Sequence, residues 1–195
     1  MKAMTLGVIQ PVAHLVEYHA YWIEDNAGGK VRNPEWTDDC KRLLNLKNVQ
    51  DQGHGAAVAY YTKMVKAFLT DNGVPPANLQ VHLVVVPSSK AGHWGDGLLK
   101  IGQNLMKQNG NFVDSMKALK RTKTIQKLAH GGNRSIYVHQ QSIELGSRAS
   151  RLERKAILLL DDITTSGNSL IACAEMLRTH CGAAVVMPLA LGKTV

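Results

Sequence analysis

Two short runs that are apolar at nearly every position, Val81-His82-Leu83-Val84-Val85-Val86 and Ala156-Ile157-Leu158-Leu159-Leu160, constrain this chain more than anything else in it. A strand with one wet face alternates apolar and polar residues, whereas a strand apolar throughout is covered on both faces, as in a parallel sheet sandwiched by helices. Each run leads into a loop and then a helical pattern. After Pro87 the pattern is Leu98, Ile101, Leu105 and Met106, stopped by Asn109-Gly110; after residues 161–169 it is Leu170, Cys173, Ala174 and Leu177, stopped near Cys181-Gly182. A helix over residues 55–69, ended by Asp71-Asn72-Gly73, precedes the first run, and a further strand is expected over 184–189. Residues 135–139 read as another short strand. Strands alternating with helices predict an α/β fold with a mostly parallel sheet of about five strands and helices on both faces. Residues 1–45 carry no such pattern and are expected to form a small cap on a main domain spanning 46–195.

A length of 195 residues suits one substantial core with an appendage, and 45% hydrophobic with 19% charged residues excludes a disordered chain. The three cysteines form no C-x-x-C pair, which argues against a zinc knuckle, and no apolar run reaches the ~18 residues of a membrane span. No membrane association and a cytoplasmic location are therefore expected, the start not reading as a signal peptide. The net charge of +8 is local: residues 100–155 hold twelve Lys and Arg against three Asp and Glu, and the flanking stretches nearly balance. So basic a block anticipates an anionic partner: a phosphorylated small molecule, nucleic acid or an anionic membrane surface.

In open parallel sheets, ligands bind at the carboxyl ends of the strands, where both loops fall. In Ile157-Leu158-Leu159-Leu160-Asp161-Asp162-Ile163-Thr164-Thr165-Ser166-Gly167-Asn168-Ser169-Leu170 a buried strand delivers two carboxylates, and a hydroxyl-rich loop then opens a helix. Backbone N–H groups at that helix start, the Thr165, Ser166 and Ser169 hydroxyls and the unhindered Gly167 suit a dianionic phosphate. Asp161 and Asp162 suit sugar hydroxyls, or a divalent cation held through water.

This stretch resembles the phosphoribosyl pyrophosphate (PRPP) motif of type I phosphoribosyltransferases: a hydrophobic strand, two acids, two variable positions, then Thr-Thr-Gly or Thr-Ser-Gly, here Thr165-Ser166-Gly167. More of the chain, roughly 42–195, is similar to the ComF-like (competence protein F) branch. Pro87 with Lys90 is followed by Ala118-Leu119-Lys120-Arg121, Thr124, Gln126-Lys127-Leu128 and Arg134 in the order of that branch. The paired cysteines of its zinc module are lacking, and Gly95-Asp96-Gly97-Leu98 stands where that branch has an Arg-Gly-Phe-Asn-like stretch.

The resemblance implies a type I phosphoribosyltransferase-like fold and a glycosyltransferase of nucleotide metabolism that takes PRPP with substrate-bound Mg²⁺. Asp161 and Asp162 would be the catalytic acids, and Thr164, Thr165, Ser166, Gly167, Asn168 and Ser169 the 5′-phosphate cradle. Ser88, Ser89 and Lys90 would face pyrophosphate, with Lys123, Gln126 and Arg134 on a flexible loop closing over it. No residue is assigned as a metal ligand. The alternatives are a non-catalytic PRPP or nucleotide sensor, and a DNA uptake or repair accessory whose basic block binds single-stranded nucleic acid weakly. A second copy of the chain is kept among the partners. His130-Gly131-Gly132 resembles a lipase oxyanion loop, but no G-x-S-x-G turn accompanies it, and it reads as a hinge.

Overall fold

The computed structural model describes residues 7–26, 28–126 and 135–195. Its centre is a wholly parallel sheet whose strands are β1 (Val8–Ile9), β2 (Ala13–Tyr18), β5 (Val81–Val85), β6 (Phe112–Asp114), β9 (Ala156–Thr164) and β10 (Val185–Thr194). The order is β1-β10-β9-β5-β6, and β2 pairs with β10 beyond β1, so that β1 and β2 form one interrupted edge. Two small antiparallel ribbons, β3 with β4 (Trp22–Glu24, Lys30–Arg32) and β7 with β8 (Leu119–Arg121, Ile143–Leu145), lie outside this sheet.

The two apolar runs occupy neighbouring strands, because every one of their side chains needs cover. Leu158 and Leu160 of β9 face a core shared with α1 (Asp38–Lys47), α2 (His54–Asp71) and α3 (Asp96–Gln108). Ile157 and Leu159 face a second core with α5 (Asn168–Cys181) and the β7–β8 ribbon. The α/β architecture with a parallel sheet and helices on both faces is thus as the sequence predicts. Gly182 ends α5 with φ of 67°, and Asn109 closes α3 by donating to the Leu105 carbonyl.

Two expectations need correction. Residues 135–139 are not a strand: Ile136–Gln140 form a short helix, α4, whose start is capped by the Ser135 hydroxyl accepting from the Val138 N–H. The branched and aromatic residues Ile136, Tyr137 and Val138 favour strands locally, but the serine supplies a helix start and the turn packs against α5. Nor is residue 45 a seam between a cap and a domain. Residues 8–18 complete the sheet edge, and α1, begun by Thr37 accepting from the Cys40 N–H, buries Leu43 and Leu46 in the main core.

Candidate functional site

Strand alternation decides where the two acids point. Asp161 continues the Ile157 and Leu159 series towards α5, and Asp162 the Leu158 and Leu160 series towards α1. Accordingly, the Asp161 carboxylate accepts from the Ser169 hydroxyl at 2.9 Å, while Asp162 pairs with Lys47 Nζ at 3.2 Å. Burial and the adjacent Asp162 charge push the Asp161 carboxyl up to about 7; the Ser169 hydroxyl, the Asp162 N–H and Lys47 only partly oppose them.

β9 runs on through Thr164, and the chain then turns over Thr165 and Ser166 to Gly167, the N-cap of α5. Gly167 has φ of 80°, a left-handed conformation that costs a residue with a Cβ roughly 1–2 kcal/mol. Its N–H donates to Thr164 Oγ1 at 2.9 Å, which shapes the turn from within, whereas Thr165 and Ser166 stay exposed on the outside. Thr165 also donates to Thr194 of β10. The six expected phosphate residues therefore lie on one turn, with Thr164 serving its geometry.

The loop after β5 is closed on itself and on its neighbours. Pro87 bridges Trp94, the Ser88 N–H donates to the His93 carbonyl at 2.9 Å, and Lys90 N–H meets Ser88 Oγ. The Ala91 N–H donates to Thr124 Oγ1 at 3.0 Å and the Gly92 N–H to the Arg121 carbonyl at 2.8 Å. Ser89 and Lys90 remain at its outer turn, Lys90 exposed. Of the expected lid residues, Lys123 and Gln126 are exposed on the segment running along this loop, where the Ile125 N–H donates to the Ser89 carbonyl; Arg134 lies outside the described residues. The Gly95-Asp96-Gly97-Leu98 departure has a packing cause: a Cβ on Gly97 would stand 2.6 Å from the Leu46 carbonyl oxygen, so glycine lets α3 start against the end of α1.

Sequence reasoning missed Lys47. It ends α1, and its meeting with Asp162 depends on a tertiary contact that no local pattern announces. Both side chains are partly exposed, so the pair contributes only ~0–1 kcal/mol to stability. Lys47→Met is accordingly expected to leave the melting temperature nearly unchanged while weakening binding of a polyanionic sugar phosphate several-fold and flattening its salt dependence, checked by calorimetric titration at two ionic strengths.

The basic block is dispersed. Arg121 is internal, Lys100 pairs with Asp96 and lowers its pKa, and Arg148 pairs with Asp114. Lys117, Lys120 and Lys123 lie towards the carboxyl ends of the strands, whereas Lys107, Arg154 and Lys155 lie towards the amino ends. A cleft of about 670 Å³, lined by Phe68, Leu69, Leu79, Leu158 and Met187, also opens at the amino ends, away from the acids. Among the described residues, no three His, Cys, Asp or Glu side chains converge as a metal-binding group. No described helix is long and apolar enough to cross a membrane. The chain matches no protein-family model and no curated protein.

Proposed function

We propose that this protein binds PRPP with Mg²⁺ and transfers its phosphoribosyl group to an acceptor, on a fold of the type I phosphoribosyltransferase kind. The observation that carries this reading is the single strand-turn-helix at the carboxyl end of β9. It joins two acids, a left-handed glycine turn with exposed hydroxyls and a helix start, beside the loop of the neighbouring parallel strand. The turn at 165–169 takes the 5′-phosphate on backbone N–H groups and hydroxyls, aided by the positive end of α5. Asp161 and Asp162 accept hydrogen bonds from the ribose hydroxyls, and their charge favours the oxocarbenium character that develops as pyrophosphate leaves the anomeric carbon. Ser89 and Lys90 face the departing pyrophosphate, whose Mg²⁺ arrives with the substrate. Catalysis then rests on positioning and charge placement, without a covalent intermediate.

A second reading, a sensor that holds PRPP without turnover, is favoured by one feature: the Ala91 and Gly92 N–H groups already donate within the protein. One assay separates the two. PRPP, Mg²⁺ and a panel of nucleobase and amine acceptors should release pyrophosphate in an acceptor-dependent manner; binding of PRPP without release from any acceptor would favour the sensor.

A further inference from the structure

We propose that Arg121 is the positioning residue of the 88–92 loop, an internal strut that holds this loop in an anion-accepting shape without touching the anion. The inference rests on the phosphoribosyl reading and deepens it.

Arg121 is 0% exposed and the largest fully buried side chain among the described residues. A guanidinium cannot shed its proton, and its burial is costly unless its donors are met. Here they reach three different elements. Nε donates to the Ser88 carbonyl at 2.6 Å, one terminal nitrogen donates to the Ser142 hydroxyl, and the other lies 3.1 Å from His139 Nδ1. Because arginine only donates, Nδ1 of His139 accepts, which puts the imidazole proton on Nε2.

Ser88 is the first residue beyond Pro87, so the fork fixes the direction in which the loop leaves β5. The Arg121 main chain acts on the far side of the same loop, its carbonyl accepting from Gly92. Trp94 Nε1 donates to the Leu119 carbonyl at 3.1 Å, and the Thr124 and Ile125 bonds tie the loop to the segment that follows β7. A loop held this way loses little conformational freedom when it meets a ligand, and the saving appears as affinity. The 5′-phosphate turn is built on a different strand and shares none of these bonds. A strut that serves the loop therefore affects one end of the substrate, whereas a residue needed only for folding affects both.

The test is calorimetric binding of Mg²⁺ with inorganic pyrophosphate, and separately of ribose 5-phosphate, to the wild type and to Arg121→Lys, His139→Leu and His139→Asn, each first checked for a cooperative melt. Arg121→Lys and His139→Leu are expected to weaken pyrophosphate about tenfold, the loss of roughly one hydrogen bond to a charged group, with ribose 5-phosphate unchanged. In His139→Asn an amide oxygen replaces the Nδ1 acceptor, and pyrophosphate affinity should recover. If Arg121→Lys does not fold, the two His139 variants decide. Unchanged pyrophosphate affinity in folded His139→Leu, an equal loss of both ligands, or a wild type that binds no pyrophosphate overturns the proposal. Failure of ribose 5-phosphate alone to bind the wild type contradicts the phosphoribosyl reading and leaves the pyrophosphate comparison to decide Arg121.

Discussion

Asp161→Asn is expected to melt higher than the wild type at pH 8 while losing most of its affinity for PRPP. The Asp161 pKa is raised in the folded protein to about 7 from an ordinary 3.8, so the folded state holds a proton that the unfolded chain releases. The favourable contribution is complete below pH ~4 and is lost as pH rises to 7, above which the half-buried charge remains a constant penalty. Asparagine can still accept from the Asp162 N–H and donate to the Ser169 hydroxyl, so both neighbours keep a polar contact. Denaturation across pH 4–8 should give a falling stability curve for the wild type and a flatter one for the variant, converging at the acid end. Parallel curves would contradict a carboxyl whose charge is disfavoured by its surroundings. The stability given up at Asp161 fits a group kept for a ligand.

Gly167→Val should abolish the melting shift that PRPP with Mg²⁺ produces. At a hundredfold excess over Kd a ligand stabilises by about 2.7 kcal/mol, or about 5–10 °C for a chain of this length. Space does not forbid a Cβ, which at Gly167 meets Val12 Cγ2 at 3.6 Å and Ile171 Cδ1 at 3.7 Å, both ordinary contacts. The φ of 80° does, and a branched residue there costs about 1–3 kcal/mol or forces the turn to change. Either way the N–H groups at the start of α5 no longer converge on one phosphate. Differential scanning fluorimetry with and without ligand checks this; a full shift in the variant would remove the phosphate turn from the account.

The sheet interior was legible because burial on both faces writes itself into consecutive positions: residues 81–86 and 156–160 could hardly be anything else. The placement of the two acids and the glycine turn at one strand end was legible for a related reason, as these residues are adjacent along the chain. The sheet edge was not. Val8–Ile9 and Ala13–Tyr18 are half-buried and interrupted at Pro11, and they pair with a strand near residue 190. Strand ends were hidden too, since β9 continues through Asp161 to Thr164 and β10 to Thr194 where the residues turn polar. Lys47 and the buried role of Arg121 belong to the same class. Each is a charged residue whose partners lie on other elements of the fold, and only the folded chain tells an internal cation from a solvated one.

The central claim is that the turn from Thr165 to Ser169 grips the phosphate of PRPP, and amide hydrogen exchange measured with and without PRPP and Mg²⁺ tests it most directly. The account predicts slowed exchange at residues 165–169 together with the 88–92 loop, and ordinary exchange at the amino ends of the strands around Val81 and Val185. Saturating PRPP that leaves 165–169 unprotected, or protects only the amino ends, would contradict it.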